Sequence, residues 1–175
     1  MGDSALWVAA LTGGTAVFAS WVTTLGNVRA ARVQAEASVQ AQHRERVREL
    51  RRAGYLEVMD RAHATGELYR RVGDAFHQIP EPAAQLARLE HLRSELREAF
   101  DPLTRSVRIV VLEGPPATAE AAQAVLDAAR EANRCLWRVT CDGADARAGF
   151  EGAQGAYLEA LGRFVDAARA ATAAS

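Results

Sequence analysis

Residues 5 to 25, Ala-Leu-Trp-Val-Ala-Ala-Leu-Thr-Gly-Gly-Thr-Ala-Val-Phe-Ala-Ser-Trp-Val-Thr-Thr-Leu, carry no charge, and arginines follow at positions 29, 32, 44, 46, 48, 51 and 52. A helix of this length, rising about 1.5 Å per residue, reaches roughly 31 Å, which matches the hydrocarbon thickness of a bilayer. The run therefore predicts a transmembrane helix over 5–26. Trp7 and Trp21 are spaced to place one indole near each membrane interface. The positive-inside rule then puts residues 1–4 outside and everything after the span in the cytoplasm of a single-pass plasma-membrane protein. A cleaved secretory signal fits less well, because no Lys or Arg precedes the run and the downstream arginines oppose translocation.

Within the span, Ala9, Gly13, Ala16, Ser20 and Thr24 recur at spacings of four and three and form one face of small residues. Such a face lets two helix backbones approach closely in lipid, so the spacing predicts a homo-oligomer packed through it. The formal charge of −1 is unevenly distributed. In residues 28 to 52 seven Arg face three Glu, a local excess that fits a basic helical stalk over 27–46. Arg29 and Arg32 are the candidates for headgroup contact, since anionic lipid attracts such juxtamembrane charges. The excess is too local for a nucleic-acid footprint. All 21 basic residues are Arg, which reads as codon bias of a GC-rich genome.

The remainder reads as helices. From Val47 an apolar stripe runs Val47, Leu50, Gly54, Val58, Ala62, Thr65, Tyr69, Val72, Phe76 and Ile79, with Tyr55 and Met59 beside it, at a spacing between 3.5 and 3.6 residues. Pro80-Glu81-Pro82 ends that helix near Gln78, because proline cannot continue it. A second stripe, Leu86, Leu89, Leu92, Leu96, Phe100 and Leu103, predicts the next helix, with a kink or short break at Asp101-Pro102. Residues 107 to 112 are rich in β-branched side chains, but a lone strand would find no partner, so they read as helix up to Gly114-Pro115-Pro116. Thr118 is a plausible N-cap for a fourth helix, residues 140 to 149 read as a loop, and Phe150, Tyr157, Leu161, Phe164 and Ala168 mark a last helix. The expectation is an all-α chain: a transmembrane helix continuing into a long helix, then an antiparallel four-helix-type bundle over 47–170 and a frayed tail over 171–175.

The order of a membrane helix, the run Arg44-Glu45-Arg46-Val47-Arg48-Glu49-Leu50-Arg51-Arg52-Ala53-Gly54-Tyr55, the segment Val111-Leu112-Glu113-Gly114-Pro115-Pro116 followed by Glu120-Ala121-Ala122, and a closing aromatic-alanine helix resembles a family of uncharacterised actinobacterial single-pass membrane proteins. The resemblance implies a cytoplasmic helical domain and brings no activity, cofactor or catalytic residue.

A catalytic constellation is not visible in the residues. His43, His63, His77 and His91 form no pair at the i, i+4 spacing of zinc helices. Glu57, Asp60 and Glu67 near His63 read as charges among Arg61, Arg70 and Arg71. Cys135 and Cys141 have no further ligands nearby and read as reduced thiols, one buried and one in a loop. Tyr55, Tyr69, Phe76, Phe100, Trp137, Phe150, Tyr157 and Phe164 are expected to meet in the core, with the tyrosine hydroxyls and the Trp137 indole partnered by Arg or Glu. No cofactor or metal is expected. Three functions remain in descending order: a membrane-anchored scaffold or protein-interaction module for itself and a cytoplasmic protein, a tethered sensor of a small apolar ligand, and an enzyme.

Overall fold

The proline and glycine punctuation sets the helix ends. In a computed structural model of the chain, α1 spans Asp3–Gln78, α2 Pro82–Glu113, α3 Pro116–Asp142 and α4 Arg147–Ala173. The structure describes the backbone of residues 3–142 and 147–174, and the side chains of residue 34 and of residues 37–141 and 147–174. No strand occurs among the described residues, so the all-α expectation holds, residues 107 to 112 included. The side chains of the expected span 5–26 lie outside that set, as do those of Ala9, Gly13, Ala16, Ser20, Thr24, Trp7, Trp21, Arg29 and Arg32. Among the described residues, no helix is long and apolar enough to cross a membrane.

The chain divides into two compact units, Met1–Val47 and Arg48–Ser175. The second is a bundle of the rest of α1 with α2, α3 and α4, each antiparallel to its chain neighbour. Arg71 pairs with Glu95 at 2.8 Å between α1 and α2, and Arg93 reaches the Thr140 hydroxyl at 3.5 Å between α2 and α3. Thr118 meets the Ala167 carbonyl between α3 and α4. The Tyr157 hydroxyl donates to the Ala62 carbonyl at 2.6 Å, and that bond joins α4 back to α1.

Helix termini are satisfied across the bundle. The α1 C-terminus stops before Pro80, and the Gln85 side-chain amide of α2 donates to the Ala75 and Phe76 carbonyls of its last turn and, at 3.0 Å, to that of Ile79 just beyond it. Glu81 caps α2, its carboxylate accepting from the backbone N–H groups of Ala83 at 3.2 Å and Ala84 at 2.6 Å, with Pro82 at the first helical position. At the other end of α2, Arg51 Nε of α1 donates to the Glu113 carbonyl at 2.9 Å. The Gly114 N–H closes on the Val110 carbonyl at 2.8 Å, so near that a Cβ on Gly114 would lie 2.6 Å from the Val110 oxygen.

Two helix expectations are corrected. No break occurs at Asp101-Pro102: Pro102 sits inside α2. An interior proline costs about 3 kcal/mol. Leu96, Leu103, Val107 and Val110 are buried on both sides of it, and burying each such side chain contributes roughly 1.5–3 kcal/mol, which keeps the helix in one piece. Thr118 is not the N-cap of α3. The helix begins at Pro116, and Thr118 is buried in its first turn against α4.

The core is one cluster running through all four helices. Ala122, Ala129 and Ala132 of α3 and Ala153, Ala160 and Ala168 of α4 are all buried, small enough for the two helices to pack closely. Tyr69, Phe150, Tyr157 and Phe164 fill the rest of the interior, and none of them reaches solvent. Tyr69 meets Tyr157 edge to face with centroids 5.2 Å apart and Phe150 at 6.0 Å, and Tyr55 meets Phe164 at 6.3 Å. Each such pair contributes about 0.5–1.5 kcal/mol beyond its area.

Candidate interaction surfaces

The expected aromatic core is right for Tyr55, Tyr69, Phe150, Tyr157 and Phe164, while Phe76 and Phe100 are only partly buried. Trp137 is the correction. Its side chain is 48% exposed on α3, because Leu136 and Val139 take the inward positions of that turn. The buried hydroxyls also choose partners other than Arg or Glu. Tyr69 lies 3.0 Å from both the Ala129 carbonyl and Asn133 Oδ1, and Tyr157 donates to Ala62. Burial of Tyr69, with Tyr157 beside it, pushes its hydroxyl well above the usual tyrosine range. Burial does the same to Tyr157. The Tyr55 hydroxyl is buried with no hydrogen-bond partner among the described residues.

The polar residues singled out in the sequence are engaged singly. His63 contacts the Met59 carbonyl and His91 pairs with Glu95. Glu57 pairs with Arg61 at 2.7 Å. The hydrogen bond from Arg70 holds the Glu67 carboxyl below its usual range, and Asp74 takes the other side of that guanidinium at 2.8 Å. His77 sits between the Gly73 carbonyl at 2.8 Å and Arg147 Nη2 at 2.9 Å. A carbonyl only accepts and a guanidinium only donates, so Nδ1 carries the proton and Nε2 accepts. Arg147 also lies over the Phe76 ring at 5.1 Å, and its contacts to Phe76 and His77 fasten the start of α4 to the end of α1, while Glu151 of its own helix pairs with it at 2.8 Å. Cys135 is buried and Cys141 exposed, and the loop thiol expected at 141 lies instead in the last turn of α3. Burial and the Glu131 carboxylate 3.5 Å away push the Cys135 thiol up. Among the described residues, no group of three or more His, Cys, Asp or Glu could hold a metal ion.

What the bundle does present is unburied apolar surface at named places. Leu50 was expected in the α1 stripe yet is 61% exposed, because the helices facing α1 offer nothing to cover that side of it. It lines a groove of about 160 Å³ with Gly54, Ile109 and Val110, where a Cβ on Gly54 would lie 3.7 Å from the Val110 side chain. Ile109 is 53% exposed, and Leu112, one turn further along the same helix face, is 84% exposed. Leu50 and Ile109 thus form an apolar ridge along the groove at the α1–α2 seam, and Leu112 extends the exposed apolar surface of α2 by one turn. The ridge is bordered by Arg51 and Glu113, one charge of each sign. A second depression lies between α2 and α3 and a third, lined by Leu56, Met59 and Val165, between α1 and α4.

No protein-family model matches the chain, and no curated protein and no solved structure matches it.

Proposed function

We propose that this chain is a membrane-anchored helical-bundle protein that acts as an interaction scaffold and self-associates, with its N-terminus outside and the bundle in the cytoplasm. The uncharged run 5 to 25 and the arginines on its C-terminal side support the anchor. The observation that carries the interaction reading is the exposed ridge of Leu50 and Ile109 at one groove, with Leu112 exposed a turn further along α2. Apolar side chains exposed singly are ordinary, whereas a contiguous patch with a polar border is the surface a partner covers. A two-fold pair brings the same patch of each copy together, and a border holding both Arg51 and Glu113 is self-complementary in that arrangement. The small-residue face of the span, Ala9 to Thr24, would add a second contact in the same dimer. An unidentified cytoplasmic protein is the further partner, and the actinobacterial membrane-protein resemblance belongs to the same proposal.

A tethered sensor of an apolar ligand has less support, because Tyr69, Phe150, Tyr157 and Phe164 fill the bundle interior. An enzyme has the least, since Glu57, Glu67, Asp74 and Glu151 pair with arginines of their own helices, Glu95 pairs with Arg71 of α1, and Glu81 caps α2. Crosslinking of the full-length protein in its membrane tests the scaffold reading. The parent should give a dimer band, Leu112→Glu together with Ile109→Glu should reduce it, and Gly13→Ile should reduce it further. A parent that stays monomeric, or a band unchanged in all variants, would refute self-association.

A further inference from the structure

The depression between α2 and α3 is a cleft of about 300 Å³, at the lower end of the size range of small-molecule sites. Arg93 and Arg97 of α2 and Arg134 of α3 line it, and no carboxylate does. Arg134 is balanced by Glu131 at 2.8 Å, and among the described residues Arg93 reaches only the Thr140 hydroxyl and Arg97 has no ion pair. Three guanidiniums brought together with one acid between them repel one another, and an oxyanion among them relieves that repulsion. The cleft is not purely polar. Its floor is Leu96 and Leu136, both buried, and the half-exposed Trp137 flanks it as a flat apolar wall. An exposed tryptophan beside arginines is the combination that recurs where a binding surface concentrates its energy.

We propose that this cleft binds a small aromatic oxyanion, with the ring against Trp137 and the charged group held by Arg93, Arg97 and Arg134. Guanidinium matches both carboxylate and phosphate, but two uncompensated cations favour the doubly charged phosphate monoester over a carboxylate. A protein partner is the weaker occupant, because a stable interface covers roughly 800 Å² on each side and this feature is a local cleft. The site lies on α2 and α3 and does not depend on self-association through the α1–α2 ridge.

The test uses the full-length chain with Trp7→Phe and Trp21→Phe, which leaves Trp137 as the only one of three indoles. Phenyl phosphate, benzoate and inorganic phosphate are titrated while Trp137 fluorescence is followed, and calorimetry repeats the titration on a Trp137→Ala variant. Phenyl phosphate should give a saturable change that weakens as salt rises, with benzoate and inorganic phosphate binding less tightly. Arg97→Gln should weaken phenyl phosphate about tenfold, the loss of one charge-assisted hydrogen bond, while Arg163→Gln, on α4 and 63% exposed, should not. Trp137→Ala should weaken phenyl phosphate and leave inorganic phosphate unchanged. No saturable response, or equal affinity for the parent and Arg97→Gln, would overturn the site. Benzoate binding as tightly as phenyl phosphate would overturn the phosphate assignment. Arg97 is exposed, so its replacement leaves the fold intact, and an unchanged melting curve checks this.

Discussion

Replacing each of the three tyrosines with phenylalanine should change stability with opposite signs, although all three are buried and aromatic. The Tyr157 hydroxyl donates to the Ala62 carbonyl at 2.6 Å. In Tyr157→Phe that bond is lost, but the Ala62 carbonyl still accepts the helical N–H one turn on, so the cost stays near the net value of one hydrogen bond, about 0.5–1.5 kcal/mol. Tyr69→Phe removes contacts to the Ala129 carbonyl and to the half-buried Asn133 side chain, and should cost about 1–2 kcal/mol. Tyr55 differs. It is 5% exposed, and its hydroxyl has been taken out of water without gaining a partner among the described residues. Desolvating such a group costs roughly 1–3 kcal/mol, so Tyr55→Phe, which keeps the ring against Phe164, should stabilise by about 1–2 kcal/mol. For a unit of this size 1 kcal/mol moves the midpoint by about 3–5 °C. Thermal unfolding of the full-length chain, followed by near-ultraviolet circular dichroism, should rise for Tyr55→Phe and fall for the other two. A fall for Tyr55→Phe would mean that its hydroxyl is hydrogen-bonded in solution, and the argument from desolvation would be refuted.

High pH should unfold the bundle through the same side chains. Burial holds Tyr69 and Tyr157 protonated above the ordinary value near 10, so their contribution is complete below pH 10 and is lost as pH rises above it. Each costs about 1.4 kcal/mol at pH 11, and the midpoint of Tyr157→Phe should fall less steeply with pH than the parent's when melts are recorded from pH 8 to 11. Gly114→Ala should destabilise by about 1–3 kcal/mol in the same melts, since its Cβ would meet the Val110 carbonyl at 2.6 Å, a backbone atom that cannot turn aside. Gly155→Ala, in α4 with nothing within 4 Å of the added carbon, should instead stabilise by about 0.5–1 kcal/mol.

What the sequence by itself determined is whatever depends on a residue and its near neighbours along the chain. The stop of α1 at Gln78 and of α2 at Glu113 follows from Pro80 and from Gly114-Pro115-Pro116, because a proline ring or a turn residue acts on the turn it occupies. The inward faces Val58, Ala62, Thr65, Tyr69, Val72 and Leu89, Leu92, Leu96, Leu103 follow from helical spacing alone. Tertiary structure decided what depends on which helix faces which. Pro102 is a local signal to break, and it is overridden by core contacts on both sides that no window of α2 contains. Leu50 fits the α1 stripe as well as Val58 does, yet only the reach of the neighbouring helices left one exposed and buried the other. Trp137 looked like core filling by its chemistry, but the rotation of α3 turned Leu136 inward and left the indole at the surface. Arg93 and Arg97 are visible as one turn of α2, and Arg134 lies a helix away. Their convergence on one cleft exists only because α2 and α3 pack antiparallel in that register, and a sum of charges along the chain carries no information about register.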